Sequence, residues 1–98
     1  MARLEVRFKL EAFADVDQAF YYYADKADNR IAASFMRKID EALERISDYP
    51  ESCPIHFRQL RRLLVDRFPY WIYYEVHADF VEVHSVLHTK RDSSQMDW

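Results

Sequence analysis

Apolar and charged residues alternate strictly from Arg3 to Leu10. Leu4, Val6, Phe8 and Leu10 fall on one side, and Arg3, Glu5, Arg7 and Lys9 on the other. A period of two describes a strand with one buried face, and the charged side suits a sheet edge, where it discourages stray pairing. From about Ala12 the period lengthens. Phe13, Val16, Phe20, Tyr23 and Ala27 recur at three- and four-residue steps, widened by Ala12, Ala19 and Ala24, which predicts an amphipathic helix. No Ser, Thr, Asp or Asn stands where it would cap that helix. Asp28 and Asn29 end it and can cap a second helix, whose stripe is Ala32, Phe35, Ile39, Ala42, Leu43, Ile46 and Tyr49. Pro50 and Pro54 stop this second helix. So short a turn makes the two helices antiparallel, and the alanines let them approach closely.

The remainder reads as β-structure. Glu51 to His56 is expected to be a loop, and Phe57 to Leu60 is ambiguous between loop and lead-in strand. Arg61 to Arg67, Tyr70 to His77 and Phe80 to Thr89 are the expected strands, with turns at Pro69 and at Ala78-Asp79. For the last hairpin a regular register sets Val76 opposite Val81, Tyr74 opposite Val83 and Ile72 opposite Ser85 on an apolar face. The other face then pairs Trp71 with Val86, Tyr73 with His84 and Glu75 with Glu82. A slip of one residue would mix the faces. The expected fold class is α+β in the order β-α-α-β-β-β, a helical hairpin on one face of a mainly antiparallel sheet.

Composition narrows the function. Ninety-eight residues make one domain, able to bury about 65% of its unfolded surface. There is no Gly, which excludes glycine-rich phosphate loops. The net charge of −3 speaks against direct nucleic-acid binding. The single cysteine, Cys53, suits a reducing compartment. With no apolar run long enough to span a membrane and no signal-peptide core, a cytoplasmic location is expected.

Candidate chemistry is sparse. His84 and His88 share a face of a regular strand, but four strand residues span about 13 Å, too far for one zinc ion. His77 falls in a turn and His56 in a loop, so neither a metal nor a cofactor is expected. Cys53 and His56 are loop neighbours, a weak hint of a nucleophile pair. Glu75, Glu82 and His84, with Tyr73, would gather on the open sheet face, where a Glu-His pair can do acid–base work. Two glutamates facing each other repel, which calls for solvent, Arg62 or a partner's basic group. Arg58, Arg61, Arg62 and Arg67 form a basic rim. Tyr21, Tyr22 and Tyr23 cannot all face inward, so at least one is presented as an anchor for a partner.

Three stretches carry a family likeness: Arg61-Arg62-Leu63-Leu64, then Arg67-Phe68-Pro69-Tyr70-Trp71-Ile72-Tyr73-Tyr74, then Val86-Leu87-His88-Thr89-Lys90-Arg91-Asp92 with Trp98 behind. With the element order, they make the chain resemble the RelE/ParE toxin superfamily of bacterial toxin–antitoxin modules, in its ParE-like branch, whose members are often labelled plasmid stabilisation proteins. The resemblance implies a toxin neutralised by a ParD-like antitoxin, in a hetero-oligomer with two or more toxin copies, and acting on DNA gyrase by protein binding. The RelE-type alternative, an endoribonuclease acting on ribosome-bound mRNA, implies lysines, arginines and a C-terminal tyrosine. Here no tyrosine follows Tyr74, and Lys90 is the one lysine after Lys38. A third reading is an inactive homologue that only binds antitoxin. No catalytic residue carries over. The expected antitoxin contacts are Tyr21, Tyr22, Arg61, Arg62, Leu64, Trp71, Tyr73, Glu75, Glu82 and Val86. The expected target contacts are His88, Lys90, Arg91 and Trp98.

Overall fold

A computed structural model describes residues 3–90. The elements run β1 (Glu5–Phe8), α1 (Leu10–Lys26), α2 (Asn29–Asp48), β2 (Ile55–Phe57), β3 (Leu60–Leu64), β4 (Tyr70–Val76) and β5 (Phe80–His88). The strands form one sheet in the order β1-β5-β4-β3-β2. Only the β1–β5 pairing is parallel; the others are antiparallel. The α+β expectation holds, with differences at the edges and in β3, which was expected to run from Arg61 to Arg67 and runs from Leu60 to Leu64. Ile55 and His56, expected as loop, and Phe57, ambiguous between loop and lead-in strand, form a short outer strand against β3. Leu10, expected in the first strand, opens α1 and is exposed.

α1 begins without a side-chain cap, whereas Asp28 caps α2 by accepting a hydrogen bond from Ile31 N at 2.9 Å. The helical hairpin lies on one face of the sheet, α1 against β5 and α2 over β1 and β3. Ala12, Val16 and Ala19 of α1 and Phe35, Ile39, Ala42 and Ile46 of α2 meet Val65, Ile72, Tyr74, Val81, Val83 and Val86 in one core. Alanine at the hairpin contact lets the helix axes come close, and Phe35 fills the centre. Two hydrogen bonds, one from a side chain and one between backbones, fasten the layers. Ser47 Oγ donates to Leu4 O at 2.6 Å, and Leu4 N donates to Ser47 O at 3.1 Å, joining the end of α2 to the start of β1.

Without glycine, two turns still adopt the left-handed region. Arg58 (φ 54°) turns β2 into β3, and Arg67 (φ 68°) turns β3 into β4. A side chain with a Cβ pays about 1–2 kcal/mol for that conformation.

The β4–β5 register follows expectation at first, with Val76 opposite Val81, Glu75 opposite Glu82 and Tyr74 opposite Val83. It then shifts: Tyr73 faces Ser85, Ile72 faces Val86 and Trp71 faces Leu87. His84 is the extra residue, a bulge on β5. Every later side chain of β5 therefore changes face. Val86, expected beside Trp71 on the open face, is instead buried under the helices, and Leu87 takes the position beside Trp71. The physical reason lies on α1. Asp15 Oδ2 accepts a hydrogen bond from Val86 N at 3.0 Å, just beyond the point where β1 stops pairing with β5.

Candidate functional site

Three surfaces carry the side chains of interest. The first is a groove along the hairpin. α1 is apolar over a wider arc than the core absorbs. Ala12, Val16 and Ala19 turn inward, which leaves Phe13 64% and Tyr21 62% exposed. Together with Phe8, Phe20, Met36 and Leu43 they line an apolar groove of about 330 Å³, with Asp17 and Asp40 among its lining. Phe13 was expected in the core stripe; the stripe proves broader than the sheet it covers.

The second is a cleft at the far end of α1. Tyr22, 56% exposed, lines it with Tyr23, Tyr70, His88 and Lys90. Tyr23 packs edge-on against Phe68 and Tyr70, while Tyr70 also meets the His88 ring at 5.3 Å. Burial, and then the neighbouring Tyr70, push the Tyr23 phenol up to about 12, and burial raises Tyr70 as well. His88 Nδ1 accepts from Lys90 N at 3.1 Å, which fixes the end of β5. The structure thus brings the antitoxin candidate Tyr22 together with the target candidates His88 and Lys90. Arg91 and Trp98 lie outside the described residues.

The third is the sheet face turned away from the helices. Leu64 is 49% exposed beside Trp71, its partner in the β3–β4 register. The Arg62 guanidinium lies 3.8 Å from the Trp71 ring centroid, a cation–π contact that makes a flat, amphipathic platform. Two expectations fail here. Tyr73 is fully buried, with the His56 ring 6.0 Å away, so it is no exposed anchor. Leu60 and Leu87 are buried too, without joining the helix-side core. The second face is therefore partly packed rather than bare. Val86 is withdrawn altogether by the bulge.

Arg61 points to the helix side. Its guanidinium donates to the carbonyls of Cys53 and Glu51, and Tyr74 Oη donates to Pro50 O at 3.0 Å. These two paired residues hold the loop after α2, so Arg61 serves the fold at this position. Burial raises the Tyr74 phenol well above the usual tyrosine range.

Glu75 and Glu82 sit opposite each other on the third surface, flanked by two imidazoles. His84 Nε2 is 3.1 Å from Glu75 Oε1 and 3.4 Å from Glu82 Oε1. His77 Nε2 is 3.4 Å from Glu82 Oε1 and 3.9 Å from Glu75 Oε2. His84 and His88 lie on opposite faces because of the bulge. His77 lies in the turn after β4, as read from sequence, its N donating to Phe80 O at 2.9 Å, and from there its ring stands beside the glutamates. The missed signal was the repeated Glu-Val-His, at Glu75-Val76-His77 and Glu82-Val83-His84.

With this geometry in view, comparison with known proteins is decisive for the family. Residues 6–93 match the family described as the ParE toxin of the type II toxin–antitoxin system parDE. The chain belongs to the ParE toxin family. It is 30% identical over 97 residues to the Y4kP protein of Sinorhizobium fredii, itself named only as a candidate toxin; the match covers 98% of this chain and 99% of that one. It is 27% identical over 74 residues to toxin ParE2 of Mycobacterium tuberculosis, covering 76% and 70% of the two chains. A chain of the chromosomal ParDE system from P. aeruginosa shares the fold with a TM-score of 0.77 at 16% identity, over 88% of this chain and 96% of that one. The YoeB dimer from Staphylococcus aureus follows at 0.56 and 20% identity, over 86% and 94%. These ParE relatives and the shared fold make the chain a toxin of the type II class.

Proposed function

We propose that this ParE-family toxin acts by binding protein, with DNA gyrase as its target, and that a ParD-like antitoxin silences it by laying an amphipathic helix in the groove between α1 and α2. The observation that carries the antitoxin half is the surplus apolar arc of α1. Phe13 and Tyr21 stay exposed on a folded domain, beside Phe20, Met36 and Leu43, with Asp17 and Asp40 adjacent. Exposed aromatic groups grouped in a concave strip fit the apolar side of a partner helix, and the two aspartates fit basic residues along its rim. The platform of Arg62, Leu64 and Trp71 offers a second contact for the same partner, and the cleft holding His88 and Lys90 is assigned to the target. The gyrase half rests on family membership.

RNA cleavage is the second reading, favoured by the Glu75–His84 hydrogen bond at 3.1 Å, an acid–base pair on a partly exposed face. One experiment separates the two. Purified chain is added to a gyrase supercoiling reaction and, separately, to ribosomes translating a defined mRNA. Loss of supercoiling with intact mRNA is the expected result; cut mRNA with unaffected gyrase would replace the proposal with the second reading. For the antitoxin half, Phe13→Asp should weaken calorimetric binding by at least about 2 kcal/mol, the scale of a hot spot. Unchanged affinity in a folded variant would move the antitoxin off the groove.

A further inference from the structure

We infer that Glu75, His77, Glu82 and His84 form a binding site for one divalent transition-metal ion of the zinc class, on the sheet face away from the helices. The duplicated Glu-Val-His is folded back on itself by the turn at Ala78-Asp79. Because Glu75 pairs with Glu82, the two carboxylates meet in the middle, and the imidazoles approach them along the two strands. The donor atoms of Glu75, His77 and Glu82 all lie within 4.8 Å of one another. Round the four residues the nitrogen–oxygen separations are 3.1, 3.4, 3.4 and 3.9 Å. Bonds of about 2.0–2.1 Å to a tetrahedral ion place neighbouring ligand atoms about 3.3–3.4 Å apart. Glu75, His77 and Glu82 are thus near the spacing an ion needs, and His84, which stands outside that trio at 3.1 Å from Glu75 Oε1 and 3.4 Å from Glu82 Oε1, completes the shell by a side-chain rotation.

Among the described residues, the imidazoles of His77 and His84 are the ion-pair partners of these two carboxylates, and no Lys or Arg pairs with either. Arg7, the register partner of Glu82 on β1, directs its Nε to Glu5 at 3.0 Å and its guanidinium over Phe80. Arg62 is stacked on Trp71. Like charges directly opposed in a sheet repel, and the cluster is less than one-third exposed at both glutamates and at His84. A cation between them cancels that repulsion. The imidazole of His77 is already fixed, stacked on the Phe80 ring with centroids 4.5 Å apart, so little orientational freedom is lost on binding. Two imidazole nitrogens select a transition ion over magnesium or calcium, which prefer all-oxygen shells.

The test is calorimetric titration of the full chain with zinc chloride and, separately, magnesium chloride, with circular dichroism and thermal melts on every variant. One equivalent of zinc is expected to bind and to raise the melting temperature reversibly with EDTA. Glu82→Gln and His84→Asn should each weaken zinc binding more than the ~10–100-fold typical of losing an outer partner of a metal ligand. His88→Asn, on the other face, should leave it unchanged. Glu82→Gln is nearly isosteric and removes a repulsion, so the metal-free variant should melt no lower than the wild type while losing the zinc-induced shift. Failure of the wild type to take up zinc, equal binding of magnesium, or zinc binding that survives Glu82→Gln would each overturn the site.

Discussion

Asp15→Ala offers the sharpest check on how the bulged strand is held. β1 pairs with β5 only as far as Phe8 opposite Val83, and Lys9 N closes that ladder on Val83 O at 2.9 Å. Past that point the outer edge of β5 needs a new acceptor, and Asp15 Oδ2 supplies one to Val86 N at 3.0 Å. Val86 itself is 2% exposed, while Asp15 and Val86 both line a cavity of about 200 Å³, so water replaces the lost partner only in part. A hydrogen bond to a charged acceptor contributes about 1.5–3 kcal/mol, and stranding a buried N–H costs about 1–3 kcal/mol, two descriptions of one loss. Alanine returns up to about 0.7 kcal/mol in helix propensity within α1. The net cost is about 0.8–3 kcal/mol. With urea slopes of about 1–3 kcal/mol per molar for a small domain, the midpoint should fall by about 1 M. Asp15→Asn keeps an oxygen acceptor without the charge and should fall between wild type and alanine. The assay is equilibrium urea unfolding followed by circular dichroism, with amide hydrogen exchange at Val86 as a local readout. An alanine variant with an unmoved midpoint and a still-protected Val86 amide would refute the role given to Asp15.

Alkaline stability should fall through the tyrosines. Burial holds the Tyr74 and Tyr23 phenols above their ordinary value, so the unfolded chain loses these protons first, and stability present below about pH 10 declines as pH rises past it. Urea midpoints across that range should drop steadily, and less steeply in Tyr74→Phe; parallel curves would contradict the assignment. At the β3–β4 turn, Arg67→Asn should relieve part of the left-handed strain and raise stability by up to about 1 kcal/mol, since asparagine tolerates that region better. A lower melting temperature in that variant would show that the Arg67 side chain holds the turn in some other way.

Sequence alone determined the elements whose signal is local. The alternation of Leu4, Val6 and Phe8, the helical stripe of Ala32, Phe35, Ile39 and Ile46, and the cap at Asp28 each follow from a few neighbouring residues and stand in the fold. So does the first half of the last hairpin, where Glu75 against Glu82 and Tyr74 against Val83 follow from the turn and the alternation. The family, too, was legible, because the motifs that carry it are contiguous. Tertiary structure decided what depends on distant partners. The bulge at His84 answers to Asp15, 71 positions away from Val86, and no periodicity within β5 announces it. That single inserted residue buried Val86, put Leu87 beside Trp71 and parted His84 from His88. The surplus apolar arc of α1 was visible as a broad stripe, but which part of it met the core depended on where the sheet lay beneath it. The pairing of each histidine with the glutamate of the other strand needed the hairpin closed, since His77 and Glu82, five positions apart, and His84 and Glu75, nine apart, become neighbours only across the turn.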